Sequence, residues 1–548
     1  MKKHLFSLAF LAVAITTLAA ERPVAKMRQA AVKTLNSTKT ECVLSRPTLE
    51  VYSDGARFSI VSRDDRFPEV LAYGVGHFDI EQAPDNVKWW FERIQRSMEV
   101  AINENVPLRH SNKTYAPIEP MVETKWGQGV PFNNYAPTVN GQKTLTGCIA
   151  TVMAQIMNYQ RYPGSVSFEG SYYTGNTQYT ENVSTVYSWP YKVAYGVYLP
   201  EADAQAVNMS YTPLQGNNVA KLLRDCGYAT DMNYAPEASG TMTYLAGAAF
   251  VEKFGYPRES VKYLIRTYYS DDEWMDILYA ELANNSPVLY AGGSQQSGGH
   301  AFVVHGMDAE GLVFVNWGWQ GQCDGYYAID LLNPEGEDFS EEEEMVIGIR
   351  PEALEMDAAQ SCLVTESPYE FSYDNATKEL TLMFTEFLYN SSCFDFTGRL
   401  CLVIEDMIEP DNSLVLDLIE EGTVLGPFWG FSSWMSKGEF IFDPGTYRIY
   451  FATLDTDEEN WQYVRTVGGA IYYDLSVNAA GVVTLADTPT YVTSETESDP
   501  TSIHEMQQSS DESSAAIRYY DLQGHEVNAS AKGLLIMKQG STVKKVVK

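Results

Sequence analysis

The sequence predicts an α+β protein of several domains, and three observations support this prediction. In the central part of the chain, residues 114–352, segments with helical periodicity come first and short β-type runs follow. Residues 353–490 instead alternate strand-like runs with turn residues, which indicates a β-sandwich. The length of 548 residues exceeds what one core holds, because a domain takes roughly 150 residues.

The first twenty residues have the pattern of a cleaved secretory signal peptide. Lys2 and Lys3 give a basic start, residues 5–18 form an apolar run, and Ala19 and Ala20 precede Glu21. Beyond this segment, 1–20, the sequence contains no apolar run long enough to span a bilayer. We therefore expect a secreted or cell-surface protein with no membrane span.

Charge and cysteine content narrow the possible partners. The formal net charge is −34, from 72 acidic and 38 basic side chains, which argues against nucleic acid as a partner.

The seven cysteines are an odd number, so at least one thiol lacks an intramolecular disulfide partner, and we expect this to be Cys148. Cys393 and Cys401 are close enough in sequence to form a disulfide, although either is equally suited to filling a core. No spacing of His, Cys and Asp suits a zinc site, and we expect neither metal nor cofactor.

Residues 21–113 form a separate small α+β unit. Strand-like runs at 57–62 and 69–73 precede a helix at 86–103, whose expected buried face comprises Val87, Trp90, Phe91, Ile94, Met98 and Ile102. The polar segment 109–113 that ends the unit has the character of a cleavage site. The unit therefore lies where a propeptide would precede a protease domain.

The central helix predicted after residue 147 carries a cysteine in its first turn. Its apolar positions recur at helical spacing and are Ile149, Val152, Met153, Ile156 and Met157. Pro163 limits the helix at its C-terminal end. A thiol at a helix start faces unpaired N–H groups and the positive end of the dipole, so we expect Cys148 to favour the thiolate.

The remaining elements follow in order along the chain. Two more helices are predicted at 218–226 and 272–282, with a loop at 234–240 between them, and three strands at 287–291, 300–306 and 312–317. The acidic run 341–344 suggests a solvated surface. In the β-sandwich, strands are expected at 380–384, 400–404 and 445–451. Residues 491–515 are expected to be a disordered linker and 516–548 a short β unit.

A cysteine nucleophile needs a base, and two histidines are candidates. The other five lie in the signal segment, the N-terminal unit, the linker or the tail, which leaves His300 and His305. His300 begins a strand after Gly298 and Gly299, which leave space for a substrate backbone. If the residues that pair across the following hairpin are both even-numbered or both odd-numbered, His300 and Asn316 lie on one face of the sheet and His305 lies on the other. A bulge would reverse this arrangement.

An acyl-transfer site also needs hydrogen-bond donors for the oxyanion. Gln128 lies upstream of Cys148 and could supply one N–H, and the backbone N–H of Cys148 at the helix start could supply a second. The chain order Gln, Cys, His, Asn resembles that of papain-like peptidases.

Four motifs in this order resemble the streptopain family of secreted cysteine endopeptidases. They are Trp126-Gly127-Gln128 with Pro131-Phe132-Asn133, Thr146-Gly147-Cys148 with Ala154-Gln155-Ile156-Met157, Gly299-His300-Ala301-Phe302-Val303, and Asn316-Trp317-Gly318-Trp319 with Asp324-Gly325-Tyr326. The resemblance covers about residues 114–352, and the unit at 21–113 resembles the inhibitory propeptide of that family.

The resemblance implies a papain-like fold and a set of roles. Cys148 would be the nucleophile, His300 the base and Gln128 the oxyanion donor. The implied supports of the histidine are Asn316 and Trp317, and the implied substrate-binding residues are Ser239, Gly240, Gly298 and Gly299. The partners would be protein and peptide substrates and the chain's own propeptide. The C-terminal unit, 516–548, resembles the sorting domains of the por secretion pathway of Gram-negative cells.

Two other functions are compatible with the same residues. One is a non-catalytic surface protein that uses the papain-like fold as a platform for adhesion or binding. The other is a transamidase with the same Cys148 and His300 pair.

Overall fold

The computed structural model describes residues 21–104, 113–191, 194–195, 209–294, 298–330, 343–353, 362–410, 413–419, 422–456, 461–493, 518–520, 526–527, 534–539 and 542–547. The expected signal peptide, 1–20, residues 105–112, which include most of the polar segment 109–113, and residues 494–515 of the expected linker lie outside the described residues.

The N-terminal unit contains two helices and four strands. These are α1 (Val24–Leu35), β1 (Glu41–Ser45), β2 (Leu49–Ser53), β3 (Arg57–Ser62), β4 (Val70–Val75) and α2 (Asp85–Glu104). The predicted helix at 86–103 and the strands at 57–62 and 69–73 are confirmed to within one or two residues.

The central unit begins with helices and ends with strands, as predicted. Its first half contains β5 (Thr138–Val139), β6 (Gln142–Lys143), α3 (Cys148–Gln160), β7 (Ser165–Thr174), β8 (Thr177–Val186), β9 (Ala194–Tyr195), β10 (Met209–Ser210), α4 (Pro213–Ala229) and α5 (Thr243–Glu252). Its second half contains β11 (Lys262–Ile265), a 3-10 turn (Arg266–Tyr268), α6 (Asp271–Ala283), β12 (Val288–Ser294), β13 (Gly298–Met307), β14 (Val313–Asn316), β15 (Gly325–Tyr327) and β16 (Glu343–Ile347).

Local sequence signals explain where these helices begin. A capping box starts α4, with Thr212 accepting from the Gln215 N–H and Pro213 in the first turn. A second box starts α6, between Ser270 and Glu273. Helix α3 begins differently, after Gly147, whose φ of 87° puts it in a backbone region that suits glycine.

Ten of the described strands form one sheet that joins the N-terminal and central units. The order is β1-β2-β3-β4-β15-β14-β13-β12-β16-β11. At the junction, β4 pairs antiparallel with β15, and Gly74 lies opposite Gly325. A Cβ on Gly325 would lie 2.4 Å from the carbonyl oxygen of Tyr73, so the close approach of these two strands depends on glycine.

Helices cover both faces of this sheet. Phe302 of β13 faces α2 and α6, because its ring contacts Trp89 of α2 and stacks on Tyr290, which receives a hydrogen bond from Trp274 of α6. Helix α3 packs on the other face, where the side chain of Gln155 contacts Asn316. One apolar core runs through both units.

The C-terminal unit is built of strands. They are β17 (Leu363–Thr365), β18 (Glu370–Asp374), β19 (Glu379–Phe384), β20 (Leu388–Asn390), β21 (Phe396–Asp406), β22 (Leu414–Asp417), β23 (Val424–Leu425), β24 (Gly430–Phe431), β25 (Trp434–Glu439), β26 (Gly445–Asp455), β27 (Gln462–Tyr463), β28 (Arg465–Thr466), β29 (Gly469–Val477), β30 (Val483–Leu485) and β31 (Thr490–Tyr491). Twelve of these strands form one sheet and β18, β19 and β25 form another. Apolar side chains of both sheets share one core, including Phe371 and Phe384 from the smaller sheet and Phe451 from the larger.

At the C-terminal end, four further strands form a separate sheet. They are β32 (Arg518–Tyr520), β33 (Glu526–Val527), β34 (Leu534–Gln539) and β35 (Thr542–Val547), in the order β33-β32-β34-β35.

Several sequence-based expectations need correction. The hairpin of β7 and β8 lies in the Tyr- and Thr-rich region after Pro163, where we predicted no strand. Glu343, expected on a solvated surface, is fully buried and forms an ion pair with Arg266 at 2.8 Å. Of the two alternatives left open for Cys393 and Cys401, the structure favours core filling, because both thiols are buried and form no disulfide.

The described residues contain neither a membrane-spanning helix nor a metal-binding cluster. No helix there is both long enough and apolar enough to cross a bilayer. No cluster of His, Cys, Asp and Glu there could hold a metal ion.

Candidate active site

Cys148 is the first residue of α3, in a tightly packed turn. A Cβ on the preceding residue, Gly147, would lie 2.7 Å from the sulfur of Met232 and 3.1 Å from the carbonyl oxygen of Ser239. The turn therefore needs glycine for space as well as for its positive φ. The apolar stripe predicted for α3 is buried and holds this end of the helix in place.

Two opposing influences act on the Cys148 thiol. Burial raises its pKa above the usual value for a cysteine, and the N–H groups of Ala301, Ile149 and Cys148 itself act in the opposite direction. Burial has the larger effect. The N–H groups at the helix start therefore act in the expected direction, but burial outweighs their effect on the pKa of the thiol.

His300 lies on β13 next to the residue that contacts the thiol. The backbone N–H of Ala301 acts on the sulfur of Cys148 and lowers the pKa of the thiol. Strand β14 ends at Asn316, which pairs with Val303 of β13. Ala301 therefore lies beyond the part of β13 that pairs with β14, and its backbone is open to α3 on that side. The structure thus brings the backbone at His300 and the thiol of Cys148 together near the start of β13.

The expected face-sharing of His300 and Asn316 is wrong in this structure. Asn316 is opposed to Val303, and the side chains of His300 and Val303, three residues apart on a regular strand, point to opposite faces. The reason is an extra residue between Val304 and Met307, where the register of β13 against β14 shifts. His300 therefore shares a face with Phe302, on the side of α2.

Asn316 is held by three other groups. Its Nδ2 donates to the carbonyl oxygen of Thr124 at 2.6 Å and to Oε1 of Gln155 at 3.2 Å. Its Oδ1 accepts from the N–H of Gly318 at 3.0 Å and from Nε2 of Gln155 at 3.3 Å. None of these described contacts involves His300. In this form Asn316 therefore does not contact His300 in the way that the resemblance implies.

Trp317 is fully buried on the same side as Phe302, with ring centroids 4.7 Å apart. Its backbone N–H donates to Oδ1 of Asp324 at 3.0 Å, and its indole N–H donates to the carbonyl oxygen of Cys323 at 3.1 Å. Burial raises the pKa of Asp324 to about 7. Trp317 is thus a packing element beside β13.

Gln128 is tied to the turn before Cys148. Its carbonyl oxygen accepts from the N–H of Thr146 at 3.2 Å, two residues before the cysteine. Among the described residues, the side-chain amide of Gln128 makes no hydrogen bond. This amide can therefore donate to a bound carbonyl group.

The four expected substrate-binding residues lie in two places. Ser239 Oγ donates to the carbonyl oxygen of Leu145 at 2.8 Å, and Gly240 pairs with Asn233 through two backbone hydrogen bonds. This loop lies against the Gly147 turn. Gly298 and Gly299 start β13, and nothing described lies within 4 Å of a Cβ added to Gly299.

His305 is placed for a structural role. It is only 1 % exposed, its Nδ1 accepts from the N–H of Val122 at 3.1 Å, and Phe314 packs edge-on at 5.0 Å. Burial lowers its pKa to about 3, so it is neutral near pH 7.

Helix α2 of the N-terminal unit covers this side of the site. Trp89 donates from its indole N–H to the carbonyl oxygen of Gly293 at 3.0 Å, and its ring packs on Gly292, which is paired with His300. Asn86 Nδ2 donates to the carbonyl oxygen of Trp317 at 2.9 Å. Sequence reasoning missed both residues. Trp89 lies off the predicted apolar stripe of α2, and an apolar residue there is a signal of a second contact surface.

Comparison with known proteins shows that the part of the chain that carries this site is similar to one protein family. The profile of the peptidase C10 family matches residues 126–327. Streptopain from Streptococcus pyogenes is 30% identical over 342 residues, which cover 56% of this chain and 82% of streptopain. The thiol protease/hemagglutinin PrtT from Porphyromonas gingivalis is 34% identical over 329 residues, 54% of this chain. The matched stretch spans only 36% of the length of PrtT.

One solved structure covers the same part of the chain. It is a fragment of prointerpain A from Prevotella intermedia, in a form with one cysteine replaced by alanine. The fragment is 30% identical to this chain with a TM-score of 0.50, and the match covers 57% of this chain and 99% of the fragment.

Proposed function

The chain belongs to the peptidase C10 family of cysteine peptidases, and we propose that it is the latent form of a secreted endopeptidase with Cys148 as nucleophile and His300 as base. One observation carries the proposal. The backbone N–H of Ala301, next to His300, acts on the Cys148 sulfur and favours the thiolate, while the Gln128 side-chain amide on the adjoining turn makes no hydrogen bond to the described residues.

The proposed reaction has two steps. His300 takes the proton of the Cys148 thiol, and the resulting thiolate attacks a peptide carbonyl carbon, while the amide N–H of Gln128 and the backbone N–H of Cys148 donate to the oxyanion. The C–N bond breaks, the leaving amine takes a proton from His300, and an acyl-enzyme remains. Water then attacks the thioester and gives its proton to His300, the C–S bond breaks, and the carboxylate product leaves.

We propose further that residues 21–113 act as an inhibitory propeptide. Trp89 packs on the strand residue paired with His300, and β4 extends the central sheet through β15. In this state the side chains of His300 and Asn316 lie on opposite faces of the sheet. Release of α2 would free the His300 end of the strand, which starts with two glycines and can therefore change its backbone conformation.

The other parts of the chain complete the proposal. We assign 114–352 to a papain-like peptidase domain, 353–490 to a β-sandwich, 491–515 to a linker and 516–548 to a secretion or sorting unit, after a signal peptide at 1–20. Maturation is proposed to be self-catalysed and to start with cleavage between about 103 and 122, because the polar segment 109–113 ends the propeptide just before the peptidase domain.

Active-site labelling tests the proposed function. The purified chain is allowed to mature and is treated with an epoxide or fluoromethylketone inhibitor of cysteine proteases, and the adduct is located by mass spectrometry. We expect the label on Cys148 and loss of peptide hydrolysis; Cys148→Ala should take up no label there. A mature protein that neither labels at Cys148 nor cleaves peptides would be a binding platform instead. Amine incorporation in place of hydrolysis would identify a transamidase.

A further inference from the structure

Gln155 is a fully buried polar residue in the middle of α3. It follows Cys148 by seven positions, about two helical turns, so it lies on the same side of the helix as the cysteine. Its exposed fraction is 0%, and its helix neighbours Ile156 and Met157 are equally buried and apolar. An apolar side chain could fill this position without the free-energy cost of burying an amide. The presence of Gln155 here therefore needs a specific explanation.

The side-chain amide of Gln155 joins three segments of the chain. Its Oε1 accepts from Oγ1 of Thr124 at 3.0 Å, from the N–H of Trp126 at 3.1 Å and from Nδ2 of Asn316 at 3.2 Å. Its Nε2 donates to Oδ1 of Asn316 at 3.3 Å. The nucleophile helix, the segment leading to Gln128 and the end of β14 therefore meet at one amide.

We propose that Gln155 is a positioning residue for the oxyanion donor: it fixes the Thr124–Trp126 segment, and with it Gln128, relative to Cys148. This inference rests on the proposed function. Trp126 is two residues before Gln128, and its N–H depends on Gln155 for an acceptor. The Asn316 amide reinforces the arrangement, because it donates to the carbonyl oxygen of Thr124 at 2.6 Å.

The expected effect is specific to the transition state. A donor must lie close to where the oxyanion forms, and a shift of about 1 Å can cost about 100-fold in rate. Binding of the ground-state substrate uses other contacts, and alkylation of the thiol by iodoacetamide needs no oxyanion donor. Loss of Gln155 should therefore lower kcat far more than it changes KM or the rate of alkylation.

The main test uses Gln155→Met, which keeps a similar volume and removes both halves of the amide. Activated enzyme is measured per titrated active site. We expect kcat on a peptide to fall about 10- to 100-fold, with KM and the iodoacetamide rate within about twofold of wild type. The matched control is Asn158→Leu, which removes another buried amide from α3, one whose single hydrogen bond to the described residues is accepted from the N–H of Tyr191. This control should keep the wild-type kcat per site.

A double-mutant cycle identifies the route of the effect. Gln128→Ala alone should lower kcat by about 100- to 1,000-fold. If Gln155 acts through Gln128, adding Gln155→Met should change that value by no more than about threefold. Full additivity, an equal loss in Asn158→Leu, or a parallel fall in the alkylation rate would overturn the proposal.

A second variant covers the case in which Gln155→Met does not fold. In Gln155→Glu, a neutral carboxylic acid can reproduce both the acceptor and the donor of the amide, whereas the carboxylate lacks the donor and repels Asn316 Oδ1. Burial raises the pKa of such a group. We expect kcat per site to decline with rising pH relative to wild type; an unchanged pH profile would contradict the proposal. If wild type itself hydrolyses no peptide, the proposed function fails, whereas an active wild type with unaffected Gln155 variants removes only this inference.

Discussion

Tyr73 of the N-terminal unit and Tyr326 of the central unit are opposed residues on β4 and β15, and their rings stack with centroids 4.8 Å apart. The Tyr73 hydroxyl also donates to Oδ2 of Asp308 at 3.0 Å. The proposed propeptide is therefore a strand-by-strand extension of the peptidase sheet. Cutting the segment 105–112 leaves these contacts intact, so release of the propeptide needs a second event that separates β4 from β15.

We predict that Gly74→Val makes maturation faster. A Cβ on Gly74 would lie 2.5 Å from the carbonyl oxygen of Asp324, so valine forces β4 and β15 apart and weakens retention of the propeptide. The measurement is the time course of active-site labelling after secretion, with a several-fold shorter half-time expected. Ala56→Val, an exposed position away from β15, is the control. A Gly74→Val protein that folds and matures at the wild-type rate would contradict the role of this ladder.

Trp89→Ala is predicted to unmask the site within the uncleaved chain. The substitution removes the ring that packs on Gly292 and the hydrogen bond to Gly293, both on the strand paired with the start of β13. The initial rate at which the full-length chain is labelled at Cys148 should rise at least about 10-fold. This corresponds to a decrease of roughly 1.4 kcal/mol in the free energy with which α2 protects the thiol. Glu99→Ala, on the exposed side of α2, should label at the wild-type rate. Equal rates for both variants would mean that α2 does not mask the thiol.

The buried His305 should make stability depend on pH. Its folded-state pKa is about 3 against 6.5 in the unfolded chain, so between these values the unfolded state binds the additional proton. The contribution of His305 is therefore complete above about pH 6.5 and is lost as the pH falls toward 3, by about 5 kcal/mol. Urea unfolding at several pH values should show a steeper loss on acidification for wild type than for His305→Gln. Parallel pH profiles would contradict this assignment.

Arg465 is predicted to hold the C-terminal unit on the central unit. It donates from Nε to the carbonyl oxygen of Tyr268 at 2.6 Å, pairs with Glu273 at 2.7 Å, and lies over the Tyr269 ring. Although burial works against ionisation of Glu273, Arg465 and the Ser270 contacts keep the pKa of Glu273 below its usual value. Because Glu273 is 36% exposed, solvent screens the pair, and Arg465→Ala should cost about 2 kcal/mol in the free energy of unfolding.

The control for Arg465 is Lys437→Ala. Lys437 pairs with Glu379 at 2.9 Å on an exposed surface, and its loss should change the free energy of unfolding by less than about 1 kcal/mol. Denaturant unfolding of the two variants decides the matter. Equal small effects would mean that the Arg465 contacts do not stabilise the docking of the two units.

The elements that were predictable from sequence are those with local signals. The apolar spacing from Ile149 to Met157 gave α3 to within a residue or two, and the β-type runs gave β12, β13 and β14. The face that each strand presents was not predictable. A single extra residue between Val304 and Met307 reverses the pairing parity, and nothing in the local sequence marks it.

Long-range polar partners were equally beyond the sequence. Glu343 belongs to an acidic run typical of solvated surfaces, yet its partner Arg266 lies 77 positions earlier. Gln155 is part of a motif used for the resemblance, but two of its partners, Trp126 and Asn316, lie 29 and 161 positions away. The roles of such residues depend on tertiary packing, which no local pattern encodes.

The most direct test of the account is kcat/KM on one peptide for His300→Ala and His305→Gln, each activated by an added protease so that maturation does not depend on the variant. With His300 as the base for Cys148, His300→Ala should lose activity by several orders of magnitude, about 10⁴- to 10⁶-fold. His305→Gln should keep most of the wild-type value, because His305 is buried and contacts the Val122 N–H. An active His300→Ala variant together with a folded but inactive His305→Gln variant would contradict the assignment of His300 as the base.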